Sequence, residues 1–491
     1  IANQLWEPTT NADVAKLRLD AHGSSTDPAI YSGDPIGKAL GVVDIYAKFT
    51  DFLNGLVAKG TVGEWREFGY DWRKPVDQVV LGDEKKATTT ENLIQTVIDL
   101  AARSRTGKVS IIAHSNGGLV AKYLVKALSD LGKADLIDSV ISVAVPYLGT
   151  PQAIAGLLHG DDQAILGGLI VSAANARAMG ANMSSAYGLL PSKQFFSELL
   201  GPTIAFASTA IPGVNNGAYP QAISSSAAQQ AFIADSANVR KAPAESNTKA
   251  PLKGNQLLLA AADALHSILD PFQWPVAIAR WAIVGWNSTT TSGVLYSDKG
   301  HTLTKNIYGD GTVVAQSASY QAGQAVPIDL GMASKIDGTS ITHTNILEAS
   351  STEAALGSIL SNPAGQNAPV LDELSHIPAV SIGNKDWNAL DAAYDASRKE
   401  LRISTHSPVK LHVYDAAGNH TGEIPVPPEI SSQVEDGLYT MKEHKIPGRT
   451  YELFGHERAA ECDTQVTVPE TGGKYTAVVD GVGTGTSPLA I

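Results

Sequence analysis

Residues 111–119 read Ile-Ile-Ala-His-Ser-Asn-Gly-Gly-Leu. Ala113 stands two places before Ser115 and Gly117 two places after it, the spacing of the G-x-S-x-G nucleophile elbow with Ala in the first position. Such an elbow turns the chain sharply from strand to helix and holds the serine strained, with its hydroxyl exposed. Small residues on either side keep strand and helix from clashing. The serine also meets a helix N-terminus, where backbone N–H groups can hold developing negative charge, and the Asn116 N–H is the expected oxyanion donor. A five-residue pattern recurs by chance, and a serine here also serves as an ordinary helix N-cap. The context favours the elbow. Val109 to Ala113 is a short apolar, β-branched run of the kind that forms a buried parallel strand, and Leu119 to Leu128 is helical.

A serine nucleophile needs a base to take its proton and an acid to orient that base. With this elbow the chain order is serine, acid, histidine. Asp310 sits in Tyr308-Gly309-Asp310-Gly311-Thr312-Val313, where glycines on both sides let a loop aim the carboxylate; the same Asp-Gly pair also makes a plain hairpin turn. Of the 12 histidines, His22, His114, His159, His266 and His301 precede Asp310. His376 falls at a domain boundary, and His406, His412, His420, His444 and His456 lie in the β-rich end of the chain. His343, 33 residues after Asp310, alone meets the order within the catalytic region. His114 abuts Ser115, but its side chain should point away, which reads as packing. His159-Gly160-Asp161-Asp162 contains metal-ligand types without a companion His-x-x-x-His or carboxylate loop, and reads as a solvated turn. No phosphate loop, dinucleotide fingerprint or EF-hand spacing occurs, so no cofactor and no metal are implied.

The elements that must position these residues follow from periodicity. Ile45, Phe49, Phe52, Leu53, Leu56 and Val57 recur at helical spacing before Gly60, and Leu93, Ile94, Val97, Ile98 and Ala101 mark a second amphipathic helix. Trp65 to Trp72 reads as a strand ending at Lys74-Pro75. Val140 to Val145 reads as a buried strand closed by Pro146. Strands alternating with helices at this spacing imply βαβ units and a parallel sheet. From Pro151 to about Pro275 the chain is rich in Ala, Ser, Gly and Gln with helical periods, and strand signals resume at Trp281 to Trp286. Helices inserted between strands of one sheet suggest a lid. Its Leu157, Leu158, Leu189, Leu190, Phe195 and Phe196 suit acyl chains or, equally, ordinary packing. Beyond residue 370 short β runs dominate: Leu401 to Ser404, Val409 to Tyr414 with a hairpin loop at Asp415 to Asn419, and Tyr475 to Val479. The expected organisation is a catalytic domain over 1–370, with its lid at about 151–280, and a β-sandwich-like domain over 371–491.

Composition narrows the function. The charge sum is 36 − 49 = −13, which argues against a nucleic-acid partner and against docking on an anionic membrane by charge alone. Hydrophobic residues at 43% against charged residues at 17% allow a sizeable core. The lone Cys462 makes no internal disulfide and leaves the compartment open. The chain opens Ile1-Ala2-Asn3, which reads as processed, trimmed or a fragment, with no basic-then-apolar leader. No apolar run approaches the roughly 20 residues of a spanning helix: Asp263 ends Leu257 to Ala262, and His159, Asp161 and Asp162 interrupt Ala153 to Val171. The expectation is a soluble protein without an integral membrane segment.

One ordered set of motifs goes further. Tyr70-Asp71-Trp72-Arg73, Ala113-His114-Ser115-Asn116-Gly117-Gly118, Gly149-Thr150-Pro151, Leu189-Leu190-Pro191-Ser192, Gly309-Asp310-Gly311-Thr312-Val313 and His343 resemble the lecithin:cholesterol acyltransferase-like group of α/β hydrolases. That group includes acyltransferases, phospholipases and bacterial lipases or esterases. The resemblance covers residues 1 to about 350. It implies an α/β-hydrolase core with a mostly parallel sheet and a helical lid, Ser115 as nucleophile, Asp310 as acid and His343 as base. It also implies that Tyr70 to Arg73 supports the acyl site and that Gly149-Thr150-Pro151 leads into the lid. Members usually begin with a strand and a Pro-Gly loop that supplies a second oxyanion N–H, whereas Leu5-Trp6-Glu7-Pro8 resembles the stretch of chain after that loop. Loss of one such donor costs roughly a hundred- to a thousandfold in turnover. A truncated chain, a substitute backbone segment and impaired activity all fit that departure. The expected function is a serine carboxylic-ester hydrolase working through an acyl-enzyme on an ester or lipid substrate. An acyltransferase or phospholipase with the same residues is the second reading. A non-catalytic binding protein on a degenerate hydrolase fold is the third, with the C-terminal domain contacting a surface or polymer. By the resemblance, an extracellular or cell-surface location is favoured.

Overall fold

The run Val109–His114 forms strand β1 at one edge of the described sheet, and the strand beside it is as apolar as it is. The structure, a computed structural model, describes residues 10–33, 37–39, 43–161, 164–166, 169–198, 201–362, 367–383, 385–387, 389, 400–405, 409–435, 439–446, 450–455, 462–469, 474–481 and 489–490. The opening segment with Leu5 to Pro8 lies outside these residues. Strand β2 (Ile137–Val143), β3 (Ala279–Trp286) and β4 (Gln324–Asp329) follow β1 in spatial as in chain order, and all neighbours pair parallel. β2 is buried at every residue but Asp138, the mark of a parallel strand covered on both faces.

Two helical layers supply that cover. Helix α1 (Ala47–Ala58) and the helix after His343 pack on one side, where Ile141, Val143, Ile283, Val326 and Ile328 meet Ile346, Leu347 and Leu356. Helix α2 (Asn116–Asp130) packs on the other, its Leu119, Leu124, Val125 and Leu128 against Val76, Val80, Val97, Ile137 and Val140. The protein therefore has an α/β-hydrolase core. Trp65 to Trp72 forms no strand. Side chains satisfy its backbone instead: the Asp71 N–H donates to Glu84 at 3.1 Å, and Lys86 donates to the Gly69 carbonyl at 2.8 Å.

The chain leaves the sheet after Val143 and re-enters at Ala279. Helices α3 (Gln152–His159), α4 (Ala173–Gly180) and α5 (Gln256–Leu269) lead the intervening cap. A small sheet completes it. Ala222–Ile223 pairs with Ile204–Phe206, which pairs with Thr290–Ser297 of a hairpin (Thr290–Ser297 and Gly300–Asn306) that comes from beyond β3. Ile204, Phe206, Val294 and Tyr296 from this sheet bury against Ile154, Leu157, Leu158 and Phe232. Strands of two and three residues carry too little alternation to be legible as strands.

The C-terminal strands build two antiparallel sheets. β5 (Glu400–Thr405) pairs with β10 (Cys462–Pro469), which pairs with β9 (Thr450–Gly455). β6 (Val409–Tyr414) pairs with β7 (His420–Ile424) and β11 (Thr476–Gly481), and β7 with β8 (Tyr439–His444). Ile403, Leu411, Val413, Ile446, Val466 and Val468 pack between the sheets as a sandwich core. The second sheet continues past β8 into Leu169–Val171 of the cap, with Tyr439 opposite Val171. Among the described residues no helix is long and apolar enough to cross a membrane.

Candidate active site

Ser115 joins β1 to α2 with φ 53° and ψ −132°, a conformation that side-chain-bearing residues rarely adopt. Its N–H donates to the Val143 carbonyl at 3.0 Å, which ties the turn to the neighbouring strand. Sequence spacing put the steric demand on Gly117. The structure moves it one residue on: a Cβ at Gly117 would meet nothing within 4 Å, whereas one at Gly118 would overlap Val145. Asn116 opens α2, so its N–H lies at the positive end of the helix. Burial raises the pKa of the Tyr70 hydroxyl, and the nearby Asn116 side chain opposes that rise.

The structure brings Ser115, His343 and Asp310 together. His343 Nε2 lies 2.8 Å from Ser115 Oγ, and Nδ1 lies 2.8 Å from Asp310 Oδ2. A carboxylate at Nδ1 keeps the proton there, so Nε2 accepts from the serine hydroxyl. Asp310 is buried at 1% exposure. Its other oxygen accepts the Thr312 and Val313 N–H groups at 3.0 and 2.8 Å, and its carbonyl accepts the His343 N–H at 2.7 Å. Gly285 on β3 makes room: a Cβ there would lie 2.8 Å from Asp310 Cβ. His343 begins a 3-10 turn (His343–Glu348), which Thr342 and Asn345 cap reciprocally.

Sequence reasoning missed what lies beneath the histidine. His114 Nε2–H donates to the His343 carbonyl at 2.9 Å, and its Nδ1 accepts from the Tyr46 hydroxyl at 3.1 Å. Burial drives the His114 pKa down to about 3, so the ring is neutral and keeps this tautomer. Glu348, five residues after His343, accepts the Lys48 and Phe49 N–H groups in the first turn of α1, both at 3.1 Å. No local pattern announces these contacts, because Tyr46 and His114 are 68 positions apart.

The remaining motifs connect the cap to the acid loop. Gly149 takes φ 84°, and a Cβ there would collide with the Leu190 carbonyl. The Thr150 N–H donates to Leu189 at 2.8 Å, and its hydroxyl donates to the Thr312 carbonyl at 2.5 Å, two residues from Asp310. Ser192 donates to Asp270 at 2.6 Å, and His266 spans Asp270 and the Gly188 carbonyl at 2.8 Å each. Burial alone would lower the His266 pKa, but the Asp270 bond and charge outweigh it and raise the value. Arg73 is buried and grips Asp71 through Nε and a terminal nitrogen at 2.9 and 2.8 Å. Leu157, Leu158, Leu190 and Phe195 are buried, and here they form cap core instead of an acyl-facing surface.

The segment His159-Gly160-Asp161 is not a solvated turn; Asp162 lies outside the described residues. His159 and Asp161 are buried. His159 bonds to the Thr248 carbonyl and the Tyr296 hydroxyl at 2.7 and 2.8 Å, and Asp161 bonds to His301 at 2.5 Å. The hairpin after β3 covers this turn, which sequence distance conceals. Among the described residues no group of three or more His, Cys, Asp or Glu side chains is arranged to hold a metal ion. A small surface cleft between Trp274, Arg280 and Gln321 is lined by none of Ser115, Asp310 and His343.

Residues 38–262 match the family described as lecithin:cholesterol acyltransferase. Among solved structures, the Tle4–Tli4 complex is similar at 13% identity and a TM-score of 0.38, over 58% of this chain and 64% of that one. This chain thus spans just under two thirds of that relative. Phospholipase PlaB from Legionella pneumophila, in complex with thio-NAD, is similar at 12% identity and a TM-score of 0.27, over 89% of this chain and 86% of that one. No curated protein matches the chain.

Proposed function

For a chain whose residues 38–262 match the lecithin:cholesterol acyltransferase family, we propose a serine carboxylic-ester hydrolase acting on lipid-like esters through an acyl-enzyme on Ser115. The observation that carries this reading is the unbroken series Asp310–His343–Ser115, each link 2.8 Å, ending on a serine held at φ 53°. His343 Nε2 takes the hydroxyl proton as Ser115 Oγ attacks the ester carbonyl. Asp310 holds the imidazole in the receiving tautomer and stabilises the imidazolium that forms. The Asn116 N–H, at the start of α2, faces the developing oxyanion. His343 then returns its proton to the leaving alkoxide, and a water activated by the same nitrogen releases the acid.

An acyltransferase uses the same residues when an alcohol replaces that water. Hydrolysis of p-nitrophenyl butyrate with increasing acceptor alcohol tests the choice. A hydrolase keeps releasing butyrate in step with p-nitrophenol. A transferase diverts the acyl group to the alcohol, and a chain with no Ser115-dependent release in either condition contradicts both. We assign the catalytic unit to the chain up to about residue 387, since Leu374 and Ala379 bury in the core of the parallel sheet and Trp387 packs against Val284 and Tyr308, and the sandwich domain to the strands from β5 onward.

A further inference from the structure

Two buried threonines hold the acid loop from outside. Thr150 stands just before α3, and Thr290 opens the hairpin that runs from β3 into the cap; they are 3% and 0% exposed. The Thr150 hydroxyl accepts the Gln152 N–H at 3.3 Å, which turns its own proton toward the Thr312 carbonyl at 2.5 Å. The Thr290 hydroxyl donates to the Ser288 carbonyl at 2.8 Å, which leaves its oxygen to accept the Gly311 N–H, also at 2.8 Å. Gly309 admits this second contact: a Cβ there would lie 2.5 Å from Thr290 Oγ1.

Each hydroxyl grips one end of a peptide plane whose other end belongs to the catalytic series. A trans peptide unit is rigid, and its C=O and N–H point in opposite directions. The Thr312 carbonyl and the Val313 N–H share one plane. Thr150 holds the carbonyl, and the N–H holds Asp310 Oδ1 at 2.8 Å. The Asp310 carbonyl and the Gly311 N–H share another. Thr290 holds the N–H, and the carbonyl accepts the His343 N–H at 2.7 Å. The first plane orients the carboxylate, and the second sets the backbone of the acid against that of the base. Both threonines belong to one packed body. Ile154, Leu157 and Leu158 of α3 bury against Val294 and Tyr296 of the hairpin, and the Thr291 hydroxyl bonds to the Gln152 side chain.

We propose that Thr150 and Thr290 are positioning residues for the Asp310–His343 pair, through which the cap holds the acid in place against the base. The proposal rests on the reading of Ser115, Asp310 and His343 as the catalytic series. Valine fills the space of threonine without the hydroxyl. At position 150 it leaves the Thr312 carbonyl without this donor, and at position 290 it leaves the Gly311 N–H without this acceptor, so the peptide plane is free to tilt. Asp310 Oδ2 sits 2.8 Å from His343 Nδ1, and a misplacement of about an ångström in such a pair costs about 100-fold in turnover.

The test is steady-state hydrolysis of p-nitrophenyl butyrate by the full chain and by Thr150→Val, Thr290→Val, Thr150→Ser and Thr290→Ser, with thermal melts of all five proteins. Each valine variant is expected to lose about 10- to 100-fold in kcat with KM nearly unchanged. Each serine variant keeps the hydroxyl and is expected to recover most of that loss. Thr203→Val is the control, because the Thr203 hydroxyl is buried in the cap but bonds to Gln229, at 3.0 Å. It is expected to melt lower and to keep its kcat. Folded valine variants with the kcat of the intact chain, serine variants as impaired as the valines, or an equal loss in Thr203→Val would overturn the proposal and leave the hydrolase reading standing. Equal turnover by the intact chain and Ser115→Ala would instead overturn the reading on which the proposal rests. If a valine variant does not fold, the alanine variant at that position is measured in its place; a loss of kcat is expected there too, and an unchanged kcat would overturn the proposal.

Discussion

Replacing Asp310 by Asn isolates the role of one carboxylate, and the structure fixes how the amide must sit. Asp310 Oδ1 accepts two backbone N–H groups, from Thr312 at 3.0 Å and Val313 at 2.8 Å. An asparagine keeps those bonds only if its oxygen takes that place. Its NH₂ then faces His343 Nδ1, where the carboxylate oxygen stood at 2.8 Å. Facing a donor, Nδ1 becomes the acceptor and the ring proton moves to Nε2, which can no longer take the proton of Ser115. The substitution changes no volume and breaks no loop contact, so the fold should persist. The expected loss in kcat near pH 7 is about 10⁴-fold, or about 5.4 kcal/mol at 1.36 kcal/mol per decade, with KM nearly unchanged. Steady-state hydrolysis of p-nitrophenyl butyrate by the intact chain and Asp310→Asn, beside thermal melts of both, measures it. A loss below tenfold in a folded variant would refute the tautomer argument and the place of Asp310 in it.

Three further outcomes follow from the contacts of buried groups. His114→Ala removes the donor to the His343 carbonyl; at about 1–3 kcal/mol for an unmet buried acceptor, kcat should fall about tenfold or more while KM holds, and Tyr46→Phe should do less. His266→Ala removes a buried ion pair, with a stability cost of about 3–5 kcal/mol where the imidazole is charged. Its folded pKa is raised, so that contribution is full below the unfolded value of about 6.5 and fades as pH rises through the folded value; denaturant midpoints should differ more at pH 6 than at pH 9. Glu353 behaves oppositely. Burial, then the Glu348 charge, lifts its pKa to about 7, so ionisation costs the folded state progressively between pH 4.5 and 7. Glu353→Gln should therefore melt higher than the parent at pH 8 and level with it at pH 5.

The parts of the molecule legible in the sequence are those whose cause is local or ordered. The β1 run, the small residues around Ser115 and the helix after it each leave a short-range mark, and the order Ser115, Asp310, His343 matches the order in which the strands end. The parts that are not legible depend on long-range cover. His159 and Asp161 look like a polar turn until the 290–306 hairpin closes over them. Trp65 to Trp72 has the residues of a strand, but Glu84 and Lys86 satisfy its backbone in place of a neighbouring strand. The apolar cap residues read equally as acyl surface or core until Phe232 and Tyr296 are seen clustered with Leu157, Leu158 and Leu190, and Leu148 with Phe195.

The central claim is that Ser115 is the acylated residue, and hydrolysis of p-nitrophenyl acetate, butyrate and longer esters by the intact chain beside Ser115→Ala tests it most directly. The account predicts turnover in the intact chain, with a chain-length profile that sizes the acyl site, and none above background in the variant. Equal rates in the two proteins, whether both active or both inert, would contradict it.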